Sequence, residues 1–353
     1  MGVSSDDAVP GFSHRVRTIY KKGPNGQVQR DQAFGSELDQ LLEAFDSTSA
    51  GAVEVVEVDA IMNPQREAAL EAQLVQWEER VNNGGVFDAG WNKEGIAGRE
   101  AKQQVLGELS KRRHDNSGVL AFAGLADGTI APSICSNGFA VLNKTDDGYF
   151  AKGVYVTFDS AYAAIYGGGL VPLELQDPAN EMVIIAAWAA VVNPYPITRR
   201  VDYTQSHHQC DLLGQTVKGG YDSHFVLVDR QGGPGSLDYQ ASPDSVMGSA
   251  LTFQYSELVL KDEAQVMARY VLRCRKKPPA GGVAVQLEEW QVLVELRDNT
   301  GFANWSDNKD GWDTLEEHHD PSRCGGVTME SGKITKIELG YSNLAGGEST
   351  MCL

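Results

Sequence analysis
Long hydrophobic runs are missing from this chain of 353 residues. The longest, residues 182–192, suits a core strand and falls well short of the roughly 20 residues that a membrane-spanning helix needs. The first residues, MGVSSD, hold no apolar core of the kind a secretory leader carries. Cysteine is sparse and odd in number, with five residues scattered at 135, 210, 274, 324 and 352. That pattern makes no disulfide framework and fits a reducing compartment. Positive charge is also scarce: 30 Lys and Arg stand against 48 Asp and Glu, a net charge of −18. A nucleic-acid partner needs a basic face to neutralise phosphates, so that class is excluded. Neither His207, His208 and Cys210 nor His318, His319 and Cys324 has the spacing of a zinc set. The glycines at 167–169 are not followed by the Lys-Ser/Thr of a phosphate loop. The expectation is an intracellular protein, cytoplasmic or nuclear, with no metal and neither nucleic acid nor membrane as partner.

Apolar residues make up 42% of the chain, ample for a core, and the length favours two domains as a soft prior. Residues 1–50 read as a polar N-terminal extension with one helix. The first 35 are expected to be loose, with a turn at 23–26. Ser36 then caps a helix that places Leu38, Leu41, Leu42 and Phe45 on one face. Asn63 followed by Pro64 opens a second helix through Leu70, Leu74 and Trp77. A third, near 100–111, repeats the period through Val105 and Leu109. From 119 to 274 short β-runs dominate, at 119–123, 153–158, 182–192, 222–228, 251–260 and 265–274. The fold class expected is therefore α+β, a twisted mixed sheet with peripheral helices spanning 51–276. KPPAGG at 277–282 reads as a linker into a separate segment, 277–353.

Chemistry-bearing residues concentrate in GYFAKGVYVTFDSAYAAIY at 148–166. By themselves its tyrosines read equally well as an aromatic strand packed on an aromatic helix. The segment resembles the centre of the catalytic domain of poly(ADP-ribose) polymerases, the diphtheria-toxin-like ADP-ribosyltransferases. There GYFGKGIYF runs into a strand, and a short helix ending in Tyr follows. Other segments resemble the family in the same order: VEVVEVDAIMNP at 53–64, VLAFAG at 119–124, SICSNGF at 133–139, GYDS at 220–223 and YSELVLKDEAQVMARY at 255–270. Together they cover roughly 51–276.

The resemblance implies NAD as substrate. Tyr155 and Tyr166 would sandwich the cationic nicotinamide ring, which electron-rich faces attract. Gly124 would offer backbone N–H and C=O to the carboxamide, its missing Cβ allowing close approach. Glu257 would hold a ribose hydroxyl and face the oxocarbenium-like transition state. Without the family context, Glu257 reads as a solvated edge-strand carboxylate. Two positions depart from the family. Its ribose-binding His is replaced by Ala123 and its amide-binding Ser by Ala163, with Ser160 one turn earlier. Losing both hydrogen bonds weakens NAD by about 2–4 kcal/mol, or about 30- to 1000-fold. The function implied is transfer of a single ADP-ribose to a protein acceptor. The alternative is a catalytically inactive NAD- or protein-binding pseudoenzyme of the same fold.

The last segment changes character. WQVLVELRDNTGFANW at 290–305, Gly311-Trp312 and CGGV at 324–327 resemble the N-terminal cap of leucine-rich-repeat proteins. ITKIELGYSNLAG at 334–346 then fits a single repeat, with Ile334, Ile337, Leu339 and Leu344 inward. One repeat cannot bury its own face, which implies a protein partner or further repeats. A plain β-hairpin appendix is the other reading.

Overall fold
A computed structural model describes residues 7–8, 13–23, 25–49, 51–83, 94–112, 118–140, 148–203, 209–232, 235–244 and 251–277, with strands at 327–330, 333–338 and 350–351. In chain order the strands are β1 (Asp7–Ala8), β2 (Arg15–Lys22), β3 (Val28–Arg30), β4 (Val53–Met62), β5 (Val119–Leu125), β6 (Val154–Val156), β7 (Met182–Ala189), β8 (Pro194–Pro196), β9 (Ser223–Arg230), β10 (Tyr239–Ala241), β11 (Tyr255–Leu260), β12 (Val266–Lys276), β13 (Val327–Glu330), β14 (Lys333–Glu338) and β15 (Thr350–Met351). The helices are α1 (Gly35–Thr48), α2 (Pro64–Asn82), α3 (Gly95–Arg112), α4 (Ala131–Asn137), α5 (Ser160–Gly167) and α6 (Arg199–Asp202). This is an α+β architecture. No helix among the described residues is long and apolar enough to cross a membrane.

Two compact units divide the chain: residues 1–173 with 180–275, and residues 174–179 with 276–353. The first contains two sheets. One runs β1-β2-β4-β12-β7-β5, with β3 sharing the outer edge of β2; the other runs β10-β9-β11-β6, with β8 parallel to β9. The sheets meet where Phe122 and Thr157 exchange both backbone hydrogen bonds, at 2.6 and 2.9 Å. The second unit contains β13-β14-β15, all antiparallel. Most residues that resemble a leucine-rich-repeat cap, and Leu339 and Leu344 of the single repeat, lie outside the described residues.

Alternation and helical period decide which side chains enter the core. In β5, Ala121, Ala123 and Leu125 join one apolar cluster with Val156, Leu258, Leu260 and the α3 residues Val105 and Leu109. Phe122 turns the other way, into a second cluster with Leu38, Leu41 and Phe45 of α1 and most of α5. Asn63 caps α2: its side-chain oxygen accepts from Arg66 N–H at 3.2 Å, and its amide donates to the carbonyls of Cys135 and Ser136 in α4. Gly138, at φ +90°, closes α4.

Residues 15–22 are not loose, contrary to expectation. They form β2, with Ile19 buried and Arg15, Thr18, Lys21 and Lys22 exposed. Lys21 pairs with Glu57 and Lys22 with Glu54, both at 2.5 Å, while Thr18 donates to Asp59 at 2.6 Å. The polar residues of β2 do not alternate, and its partners lie some thirty to forty residues away in β4.

Candidate active site around Glu257
The carboxylate of Glu257 stands in the middle of β11, opposite Val226 of β9, and is 7% exposed. In β11, Ser256, Leu258 and Leu260 alternate with Glu257 and Val259. Tyr155 of β6 pairs with Val259, so Tyr155 and Glu257 share one face of the smaller sheet. Helix α5 packs on β5 and β7 and reaches that face through the Tyr162 side chain. Its Tyr162 and Tyr166, four residues apart, sit on one side of the helix with their rings edge-to-face at 5.4 Å.

Tyr162 is the hub. Its hydroxyl donates to Glu257 Oε1 and lies 3.3 Å from the Tyr166 hydroxyl. Its ring stacks on Tyr255 at 4.8 Å and meets Tyr239 edge-on at 4.8 Å. Burial, followed by the Glu257 charge, pushes the Tyr162 hydroxyl well above its ordinary pKa, so it stays a donor. Tyr166 is the large exposed aromatic of the group, at 38%.

A second contact fixes α5 to β11. Asp159, the residue before α5, accepts from Ser256 N–H at 2.8 Å and from Ser256 Oγ at 2.6 Å. Arg112 donates to its other oxygen at 3.2 Å. One carboxylate thereby ties the start of the tyrosine helix to the residue beside Glu257.

Gly124 lies two residues beyond Phe122 and so directs its N–H and C=O toward the same side, away from β7. The space a Cβ would fill is occupied by the Ala163 carbonyl and Gly167 N–H, so the missing side chain serves the close packing of α5 on β5. Ala163 is buried in the α5 core, whereas Ala123 belongs to the apolar layer with Val156 and Leu258. Ser160 cannot stand in for the family Ser. Its hydroxyl donates to Phe45 carbonyl at 2.6 Å and accepts from Thr48, which commits it to α1.

Tyr155 is held from below by the turn that precedes β6. Its hydroxyl donates to Ala151 carbonyl at 2.7 Å and accepts from Phe150 N–H at 2.9 Å. The turn is pinned further by His224, whose Nδ1 lies 2.7 Å from Phe150 carbonyl and whose Nε2 accepts from Lys218 N–H. Burial drives the His224 pKa down to about 4, so the ring is neutral and Nδ1 is the donor. Ala151 itself is fully buried at φ +114°, a region natural to glycine, in the place where GYFGKGIYF has Gly.

Strain of that kind costs about 1–3 kcal/mol, against about 1 kcal/mol for a lost methyl and glycine's extra freedom. Ala151→Gly should therefore stabilise the protein by about 1 kcal/mol. Urea unfolding beside Ala164→Gly, a buried position of normal helical backbone that should lose about 1 kcal/mol, checks the sign. Equal losses in both variants would show that Ala151 is unstrained.

Tyr162, Asp159, Tyr239 and Tyr255 were not singled out from the sequence. The spacing of Tyr162 and Tyr166 was the available signal for the first. Among the described residues, no group of three or more His, Cys, Asp or Glu could hold a metal ion. Compared with known proteins, the chain matches no protein-family model and no curated protein sequence.

Proposed function
We propose that the chain is an ADP-ribosyltransferase of the poly(ADP-ribose) polymerase type, which uses NAD and transfers a single ADP-ribose to a protein acceptor. The observation that carries this reading is a buried carboxylate, Glu257, on the same sheet face as Tyr155 and hydrogen-bonded to Tyr162 of the helix that carries Tyr166. In this reading Tyr155 and Tyr166 flank the nicotinamide ring, and Gly124 pairs with its carboxamide through the backbone. Glu57 pairs with Lys21 of β2, whereas Glu257 is buried and held by Tyr162. A fixed carboxylate beside the breaking nicotinamide–ribose bond lowers the energy of the developing cation. The C-terminal segment would act as a repeat-type cap that docks a protein partner.

A second reading, a pseudoenzyme that binds NAD or protein without turnover, is favoured by Ala123, Ala163 and the commitment of Ser160 to α1. Incubation with NAD labelled in the ADP-ribose moiety separates the two. The transferase reading expects labelled protein and released nicotinamide, both lost in Glu257→Gln. Bound NAD with neither product would leave the pseudoenzyme.

A further inference from the structure
We propose that Tyr162 is the positioning residue for Glu257: its phenol donates to Oε1, and its ring, packed among Tyr255, Tyr239 and Tyr166, fixes where the carboxylate stands. The catalytic meaning of this contact rests on the transferase reading; the contact itself does not. A glutamate side chain has three rotatable bonds, and a buried one without a donor either neutralises or swings toward water. Tyr162 opposes both outcomes, because a buried hydroxyl with a raised pKa keeps its proton and gives a charge-assisted hydrogen bond.

Each element packed around Glu257 contributes polar or aromatic groups, and among them Tyr162 hydrogen-bonds the carboxylate directly. From β9, apolar Val226 stands opposite Glu257. From β10, Tyr239 brings a hydroxyl that accepts from Arg230 Nε at 3.2 Å. From β11 itself come Tyr255, stacked on Tyr162, and Ser256, whose N–H and hydroxyl both go to Asp159. Asp159 is in turn paired with Arg112. From α5 come Tyr162 and, one hydroxyl further out, the exposed Tyr166.

Tyr162→Phe keeps the ring and removes only the donor. Losing this charge-assisted donor should move the acid limb of the pH–rate profile upward by about one to two pH units. At neutral pH the rate should fall about ten-fold, a misplaced or partly protonated carboxylate being the cause. Tyr270→Phe is the control: it keeps a buried ring and removes a hydroxyl that donates to Glu37 at 2.8 Å, so the limb should stay in place. An unshifted limb in Tyr162→Phe, or equal shifts in both variants, would overturn the proposal.

Absence of NAD turnover in the wild type would defeat the transferase reading alone. Titration of the Glu257 carboxyl carbon by NMR, in wild type and Tyr162→Phe, would then read the same shift without activity. Should Tyr162→Phe fail to fold, the wild type still decides. The Tyr162 hydroxyl proton should exchange slowly and resonate downfield, and move upfield in Glu257→Gln, whose amide oxygen is the weaker acceptor. A rapidly exchanging proton, or one unmoved by that change, would contradict the contact.

Discussion

Glu257→Gln is expected to lower the rate of nicotinamide release from NAD by about 10²–10³-fold, the usual effect of removing one preorganised charge at a transition state. The amide keeps the size of the side chain and leaves an acceptor for the Tyr162 hydroxyl, so the aromatic cluster should stay packed. NAD affinity should change by less than about 1 kcal/mol, because the flanking tyrosines and the Gly124 backbone are untouched. The outcome separates three roles. A fall in rate at constant affinity assigns Glu257 to the transition state. A collapse in affinity at constant rate would make it a binding residue. Activity that persists would move the acid elsewhere, with Glu263 the next carboxylate to test.

The second large effect is on stability. Lys102 is fully buried in α3, with Nζ 2.7 Å from Pro196 carbonyl, 3.1 Å from Asp202 Oδ2 and 3.8 Å from Glu94 Oε2. The ammonium also lies 3.8 Å from the centre of the Tyr195 ring, whose hydroxyl donates to Asp202. Burial lowers the Lys102 pKa, and the neighbouring carboxylates partly offset that shift. Lys102→Met preserves the stem but leaves Asp202 without its nearest cation in a site it cannot leave. Such a broken buried pair costs about 3–5 kcal/mol, a large share of the stability of an ordinary domain. Lys218, 3.9 Å from Asp202 and 42% exposed, is placed to recover only part of it. Urea unfolding measures the difference. A loss below about 1 kcal/mol would mean that Asp202 is satisfied by Tyr195 and Thr198 N–H alone.

Several local signals correspond to what formed, although Ser36, expected as the cap of α1, lies inside that helix, which starts at Gly35 with Phe34 as its N-cap. Asn63 before Pro64 starts α2, Gly138 ends α4, and the run at 53–62 became β4. These features depend on adjacent residues, so the sequence carries them directly. Strand β2 was hidden because its evidence is the ladder to Glu54, Glu57 and Asp59, which one strand cannot display. Lys102 was hidden for a similar reason, although its place on the stripe of Gly98, Ala101, Val105 and Leu109 was a usable hint. Its partner Asp202 lies 100 residues away. The candidate site divides along the same line. Tyr155, Tyr166 and Glu257 could be named from local motifs. The role of Tyr162 required knowing that its hydroxyl reaches Glu257 of β11, and Gly124's use as a packing surface required the position of the Ala163 carbonyl.

The most direct measurement is ligand-detected NMR of NAD with the full chain, carried to millimolar concentration. The transferase and NAD-binding readings both predict saturation transfer to the nicotinamide ring protons, with an affinity weakened about 30- to 1000-fold by the two missing hydrogen bonds. A folded protein that transfers no saturation to those protons at millimolar NAD would contradict both.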